Sequence, residues 1–183
     1  VLTEKQIKYG FDYYHKDDAR PKSVVEVSEY DGEDKLIINC TQLDEGYSAK
    51  DKKRIWLEWC DFLVNNPDTF TELMFCTRMP QDLFDAVCAQ RRLKKLHIKW
   101  GVYPDISKLE NLQELEYLHI GSGRSVSSLE PISRLVNLVA LSIENFQQID
   151  DYAPLANLKH LESLALEGDF ASPKILKVQS LGF

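Results

Sequence analysis

The sequence has no long apolar run. Its apolar runs are only a few residues long, as at Leu36-Ile37-Ile38, and fall far short of the about 20 residues that a membrane-spanning helix needs. The start of the chain, Val1-Leu2-Thr3-Glu4-Lys5, sets charges where a signal peptide would carry its apolar segment, so nothing directs export and a cytoplasmic location is expected. Cysteine is sparse. Cys40, Cys60, Cys76 and Cys88 are widely spaced and include no C-x-x-C, which points to reduced, mostly buried thiols rather than a disulfide scaffold. Positive charge is also short: 22 basic against 29 acidic residues leave a net charge of −7, which disfavours nucleic acid as a partner. A basic or mixed protein surface fits that balance better.

Catalytic signatures are missing as well. There is no G-x-S-x-G, no H-E-x-x-H, and no His/Ser/Asp set that falls into one cleft. Gly121-Ser122-Gly123-Arg124-Ser125 has the look of a phosphate loop but lacks the Lys-Ser/Thr ending and the G-x-G-x-x-G spacing, so it reads as a turn. A non-enzymatic, cofactor-free chain is expected. With 44% hydrophobic residues in 183, there is ample material for one core.

What the chain does have is a repeat. Phe70-x-x-Leu73-x-Phe75 returns as Leu93-x-x-Leu96-x-Ile98, Leu115-x-x-Leu118-x-Ile120, Leu138-x-x-Leu141-x-Ile143 and Leu161-x-x-Leu164-x-Leu166, in steps of 23, 22, 23 and 23 residues. A period of 20 to 29 residues with this pattern marks leucine-rich repeats, in which each unit supplies one strand and one return segment and cannot bury its apolar face alone. The expected fold class is α/β: a leucine-rich repeat solenoid with short parallel strands on the concave face, short helices on the convex face and an N-terminal α/β cap. The cap is assigned to residues 1–69 and an array of about five repeats to 70–183.

In the cap, Thr3 opens a helix over residues 1–20 with Ile7, Phe11 and Tyr14 at helical spacing. Val24–Ser28 and Lys35–Thr41, separated by Asp31-Gly32, are expected to form a hairpin. Aligning Cys40-Thr41 with Cys76-Thr77 makes the second of these strands an irregular first coil, 36 residues ahead of the array. Ser48 with Asp51 is a variant capping box for a helix closed before Pro67, and its stripe of Ile55, Trp56, Trp59, Phe62 and Leu63 is read as the plug of the cap. In the array, Pro80–Gln90 is expected as a helix, and Ile106–Leu112, Pro131–Leu138 and Pro154–Leu161 as shorter helical turns. Ala171–Phe183 begins a further return segment, after which either that segment caps the end or the natural protein continues.

The stretch from Leu93 to Leu166, above all Ile149-Asp150-Asp151-Tyr152-Ala153-Pro154-Leu155-Ala156-Asn157-Leu158, resembles the about 22-residue repeats of the internalin type. The resemblance implies the solenoid fold; the family's role in cell entry is not carried over. Repeats of that type place Asn three residues after the last strand leucine. Here those places hold Arg78, Gly101, Gly123, Phe146 and Asp169, so less regular bends are expected.

Alternation along each strand sends the Leu and Ile pattern to the core and the residues between to the inner face. The expected partner-binding residues are Lys95, His97, Lys99, Trp100, Tyr117, His119, Ser142, Glu144 and Glu167. Tyr117 is their aromatic anchor, with Trp100 or Tyr103 beside it. The same positions also satisfy a plain requirement that an exposed sheet face be polar. His97 and His119 fall on equivalent positions of neighbouring strands; two imidazoles alone leave zinc short of ligands, whereas a pH-sensitive contact is open to them. Arg91-Arg92-Lys94-Lys95 either meets an acidic partner or is the solvated end of the preceding helix. The leading expectation is a cytoplasmic, bacterial protein-interaction module that binds another protein. Its alternatives are an immunity or inhibitor protein that blocks a toxin or enzyme, and the recognition domain of a longer effector enzyme.

Overall fold

A computed structural model of the chain describes Glu4 and residues 20–168. The expected N-terminal helix, the bend at Asp169 and the return segment from Ala171 lie outside the described residues. Seven strands form one sheet in which every neighbouring pair is parallel: β1 (Lys22–Val24), β2 (Lys35–Ile38), β3 (Glu72–Phe75), β5 (Lys95–Ile98), β7 (Tyr117–Ile120), β8 (Ala140–Glu144) and β9 (Ser163–Glu167). Two further short strands, β4 (Met79–Pro80) and β6 (Gly101–Val102), pair with each other at the bend. The segments assigned to the cap and to the array share the large sheet, since β2 lies directly against β3.

The repeat explains the register. Leu73 stands beside Leu96, Leu96 beside Leu118, Leu118 beside Leu141 and Leu141 beside Leu164. A parallel sheet buries strand leucines only where return segments cover the same face. The helix α2 (Gln81–Val87), the 3-10 turn Ser107–Asn111, the single helical turn α3 (Glu130–Ser133) and the 3-10 turn Ala153–Asn157 provide that cover. Their Leu83, Leu109, Ile132 and Leu155 join the strand leucines in one cluster, each at most 1% exposed. Pro80 stands at the N-cap of α2 rather than inside it, because its own backbone is extended and paired in β4.

The helix α1 (Ala49–Asn65) follows its sequence signal closely. The Ser48 hydroxyl accepts from the Asp51 amide at 3.2 Å and donates to the Asp51 carboxylate at 2.5 Å, so the capping box is formed. Ile55, Trp59 and Leu63 are fully buried, with Trp56 and Phe62 packed against them.

Two expectations are corrected. The hairpin does not form: β1 and β2 run parallel, with Lys22 beside Leu36, and a 3-10 turn at Val27–Glu29 carries the chain between them. The reason is tertiary. The Trp59 indole N–H donates to the Val25 carbonyl at 2.8 Å, and the Glu29 carboxylate accepts from the Val25 amide at 2.7 Å, so Val25 is tied before a strand can continue. The offset between β2 and β3 is 37 rather than 36 residues, since Leu36 lies beside Leu73 and Ile37 beside Met74. One residue is absorbed past the strands, and at the bend the Thr41 hydroxyl meets that of Thr77 at 2.9 Å with the offset of 36 restored.

Candidate functional site

Because the strands are in register, inner-face residues line up in rows across the sheet. One row holds Lys35, Glu72, Lys95, Tyr117, Ala140 and Ser163, and the next holds Ile37, Met74, His97, His119, Ser142 and Ala165. Past their ends Lys99 follows β5, while Glu144 and Glu167 close β8 and β9 side by side.

His97 and His119 form the centre. Their rings stack with centroids 4.2 Å apart and planes 7° from parallel. Lone pairs of stacked imidazoles lie in two parallel ring planes and do not converge on one point, so the pair offers a flat aromatic platform. Among the described residues no group of three or more His, Cys, Asp or Glu side chains is placed to hold a metal. Glu144 comes within 3.9 Å of His119 Nε2. Tyr117 packs over Ala140.

The other expected site residues divide by exposure. Lys95 is drawn to Glu72 at 3.5 Å, and both side chains are only 13% exposed. Lys99 and Glu167 are exposed, whereas Ser142, at 6%, lies below its neighbours. Trp100 belongs to the bend after β5 and lines a cleft of about 400 Å³ with Val102, Tyr103, Pro104, Ser122 and Arg124. Tyr103 is not a surface anchor. It is 1% exposed, stacks on Phe84 at 5.0 Å and donates its hydroxyl to the Gly121 carbonyl; burial raises its pKa.

The basic cluster meets acidic partners within the chain. Arg91 pairs with Asp68 at 2.5 Å and Lys94 with Glu116 at 3.5 Å, in addition to the Lys95–Glu72 pair. The bend at Gly121 is a close-packed turn: a Cβ there would stand 1.9 Å from the Lys99 carbonyl oxygen. At the other bends aromatic rings occupy the ground of the absent asparagines. Phe146 lies against Gly123 and Tyr103 against Gly101, so close that a Cβ on either glycine would fall within 2.3 Å of the ring.

One feature escaped the sequence reading. A second cleft, about 470 Å³, runs along the N-terminal ends of the strands and is lined by Lys94, Glu114, Glu116, Asn137, Val139, His160 and Glu162. Lys94, Glu116, Val139 and Glu162 each precede a strand by one residue, and their backbones form a continuous ladder with N–H to O distances of 2.8 to 2.9 Å. The period of the repeat carried that signal, one place ahead of the residues that hold the eye.

No family model and no curated protein matches this chain. Among solved structures it is similar to the internalin inlF of Listeria monocytogenes, at 20% identity over 56% of this chain and 31% of that one, with a TM-score of 0.42. It is also similar to internalin C2 of the same organism, at 18% identity over 78% of this chain and 65% of that one, with a TM-score of 0.43. The chain thus spans less than two thirds of the length of either. The return of Leu-x-x-Leu-x-Leu every 22 or 23 residues, and its folding into one parallel ladder backed by helical turns, make the chain a leucine-rich repeat protein.

Proposed function

We propose that this chain is a protein-interaction module that takes a partner protein on the inner face of its sheet, without catalysis of its own. The observation that carries the reading is the stacked His97–His119 platform, set in register beside Tyr117 and edged by Glu144. Half-buried aromatic rings that hold a fixed orientation lose little side-chain entropy on binding, which is why such residues dominate interfaces. Lys99 on one side and Glu167 on the other give the face both signs of charge, suited to a partner that also carries both. Lys95 and Trp100 flank this surface, and Ser142 lies beneath it.

A cytoplasmic setting accords with the thiols. Cys40, Cys60, Cys76 and Cys88 are free, and burial pushes the thiol of Cys40 up to about 12 and that of Cys60 up to about 11, so neither is a ready nucleophile at neutral pH. The test is capture from the native host with the chain as bait. Replacing Tyr117 and His119 together with alanine is expected to weaken capture by about thirtyfold, the effect of losing about 2 kcal/mol at a hot spot. Undiminished capture by a folded double variant removes the inner face from the reading.

A further inference from the structure

The short ladder at the bend stops early. Met79-Pro80 and Gly101-Val102 pair as β4 and β6, 22 residues apart, so the repeat puts a third member at Gly123-Arg124. Those two residues do not join it. At Ser122 the backbone turns left-handed, with φ 54°, and the Arg124 amide folds back onto the Ser122 carbonyl at 2.9 Å, which takes the chain off the line of the ladder. Among the described residues no backbone hydrogen bond links 100–104 to 121–125. The cleft of about 400 Å³ lies where the ladder breaks off, lined by Trp100, Val102 and Pro104 from one bend and Ser122, Arg124 and Ser125 from the next.

We propose that β6 is an open edge that takes an extended, acidic segment of a partner protein, paired with it in this cleft. The backbone faces the right way. The Trp100 carbonyl accepts from the Met79 amide at 2.9 Å and so points to β4. Successive residues of a strand present their N–H and C=O groups to opposite sides, so those of Gly101 and Tyr103 point away from β4, toward the cleft. Such an edge is a template for one more strand. The side chains agree. Gly101 and Tyr103 are buried, whereas Trp100 is half-buried, Pro104 is exposed and Val102 is 47% exposed. Alternation thus leaves an apolar row along the strand, against which alternate apolar side chains of a guest can pack. Arg124 is the one charged side chain that lines the cleft, and it is positive in a chain of net charge −7. A complementary guest is acidic. The hydroxyls of Ser122 and Ser125 can donate to its carboxylate oxygens.

This site goes beyond the inner-face reading. It lies at the bends that follow β5 and β7, off the row of His97 and His119, and uses main-chain pairing rather than a side-chain platform. The guest it selects has apolar residues alternating with Asp or Glu, and no proline at a paired position, since proline cannot donate to a ladder.

The test uses the blocked pentapeptide acetyl-Val-Asp-Val-Asp-Val-amide, titrated into the full chain and followed by NMR. Saturable shifts at the amides of Gly101, Val102 and Tyr103 and at the Trp100 indole, with a dissociation constant of about 1 mM or tighter, are expected. Arg124→Gln is expected to weaken binding about tenfold, the loss of one charge-assisted contact. Val102→Asp, at an exposed position that the fold tolerates, sets a carboxylate on the apolar row and is expected to abolish binding. A peptide methylated on every backbone nitrogen is expected not to bind; equal binding by it overturns the strand pairing. Equal binding by the counterpart with lysine in place of aspartate overturns the acidic guest. No shifts at millimolar peptide, or shifts confined to other surfaces, overturn the site. Neither variant touches Tyr117 or His119, so the capture test of the inner face stands or falls separately.

Discussion

The regular array and the region that precedes it solve the same problem by different means. From β3 onward neighbouring strands lie 22 or 23 residues apart, and one leucine pattern, repeated, fills each layer. Ahead of β3 the offsets are irregular: Lys22 sits beside Leu36, 14 residues on, and Leu36 beside Leu73, 37 residues on. No repeated pattern can fill such layers. Aromatic bulk does so instead: Tyr30, Phe62 and Phe70 touch one another and Trp59 touches Phe62, at centroid distances of 5.2 to 6.3 Å. The two regions are stapled by Gln90, fully buried, whose side chain accepts from the amides of Thr69 and Phe70 and donates to the carbonyls of Leu63 and Asn66 at 2.7 to 3.2 Å. A solenoid therefore tolerates irregular coils where one large side-chain cluster replaces the layer-by-layer fill.

That contrast can be broken at its largest element first. Trp59→Ala removes the centre of the aromatic plug and its hydrogen bond to Val25, and is expected to cost about 3 to 5 kcal/mol in urea denaturation. The transition should remain single, because β2 and β3 share a sheet; a biphasic curve would make the first region an independent unit. Gln90→Leu strands two amides and two carbonyls at the staple, and a loss of about 3 kcal/mol is expected by the same measurement. Gly121→Ala forces the Lys99 carbonyl aside in the array, and a drop of about 2 kcal/mol, with the transition still single, is expected from thermal or urea unfolding.

The smallest effect is electrostatic. Hydrogen bonding and charge from Arg91 hold the Asp68 carboxyl below its ordinary 3.8, so this pair supports the fold above that value and its support is lost as pH falls through the lowered pKa. Asp68→Asn is expected to flatten the acid limb of stability against pH and to change little near neutrality, since the pair is solvent-exposed.

Much of the array was legible because a pattern written five times averages out local ambiguity: Leu96, Leu118 and Leu141 fall where the spacing puts them. The Ser48–Asp51 capping box was legible because its chemistry is local. Where the structure departs from the expectation, the deciding contact is distant in sequence. Val25 is turned from a hairpin by Trp59, 34 residues away, and Tyr103 is drawn into the core by Phe84 and the Gly121 carbonyl. The inner-face rows followed from alternation alone, but the His97–His119 stack and the burial of Ser142 required the register and rotamers of neighbouring strands.

The central claim is that the inner face, and not the outer, meets a partner. It is tested most directly by calorimetric titration of a partner purified by capture against three chains: unsubstituted, Tyr117→Ala with His119→Ala, and Val136→Asp, an exposed position near α3 on the outer side. The expected result is binding weakened by about thirtyfold in the first variant and unchanged in the second. Unchanged binding by the inner-face variant, with loss at Val136, would contradict the account.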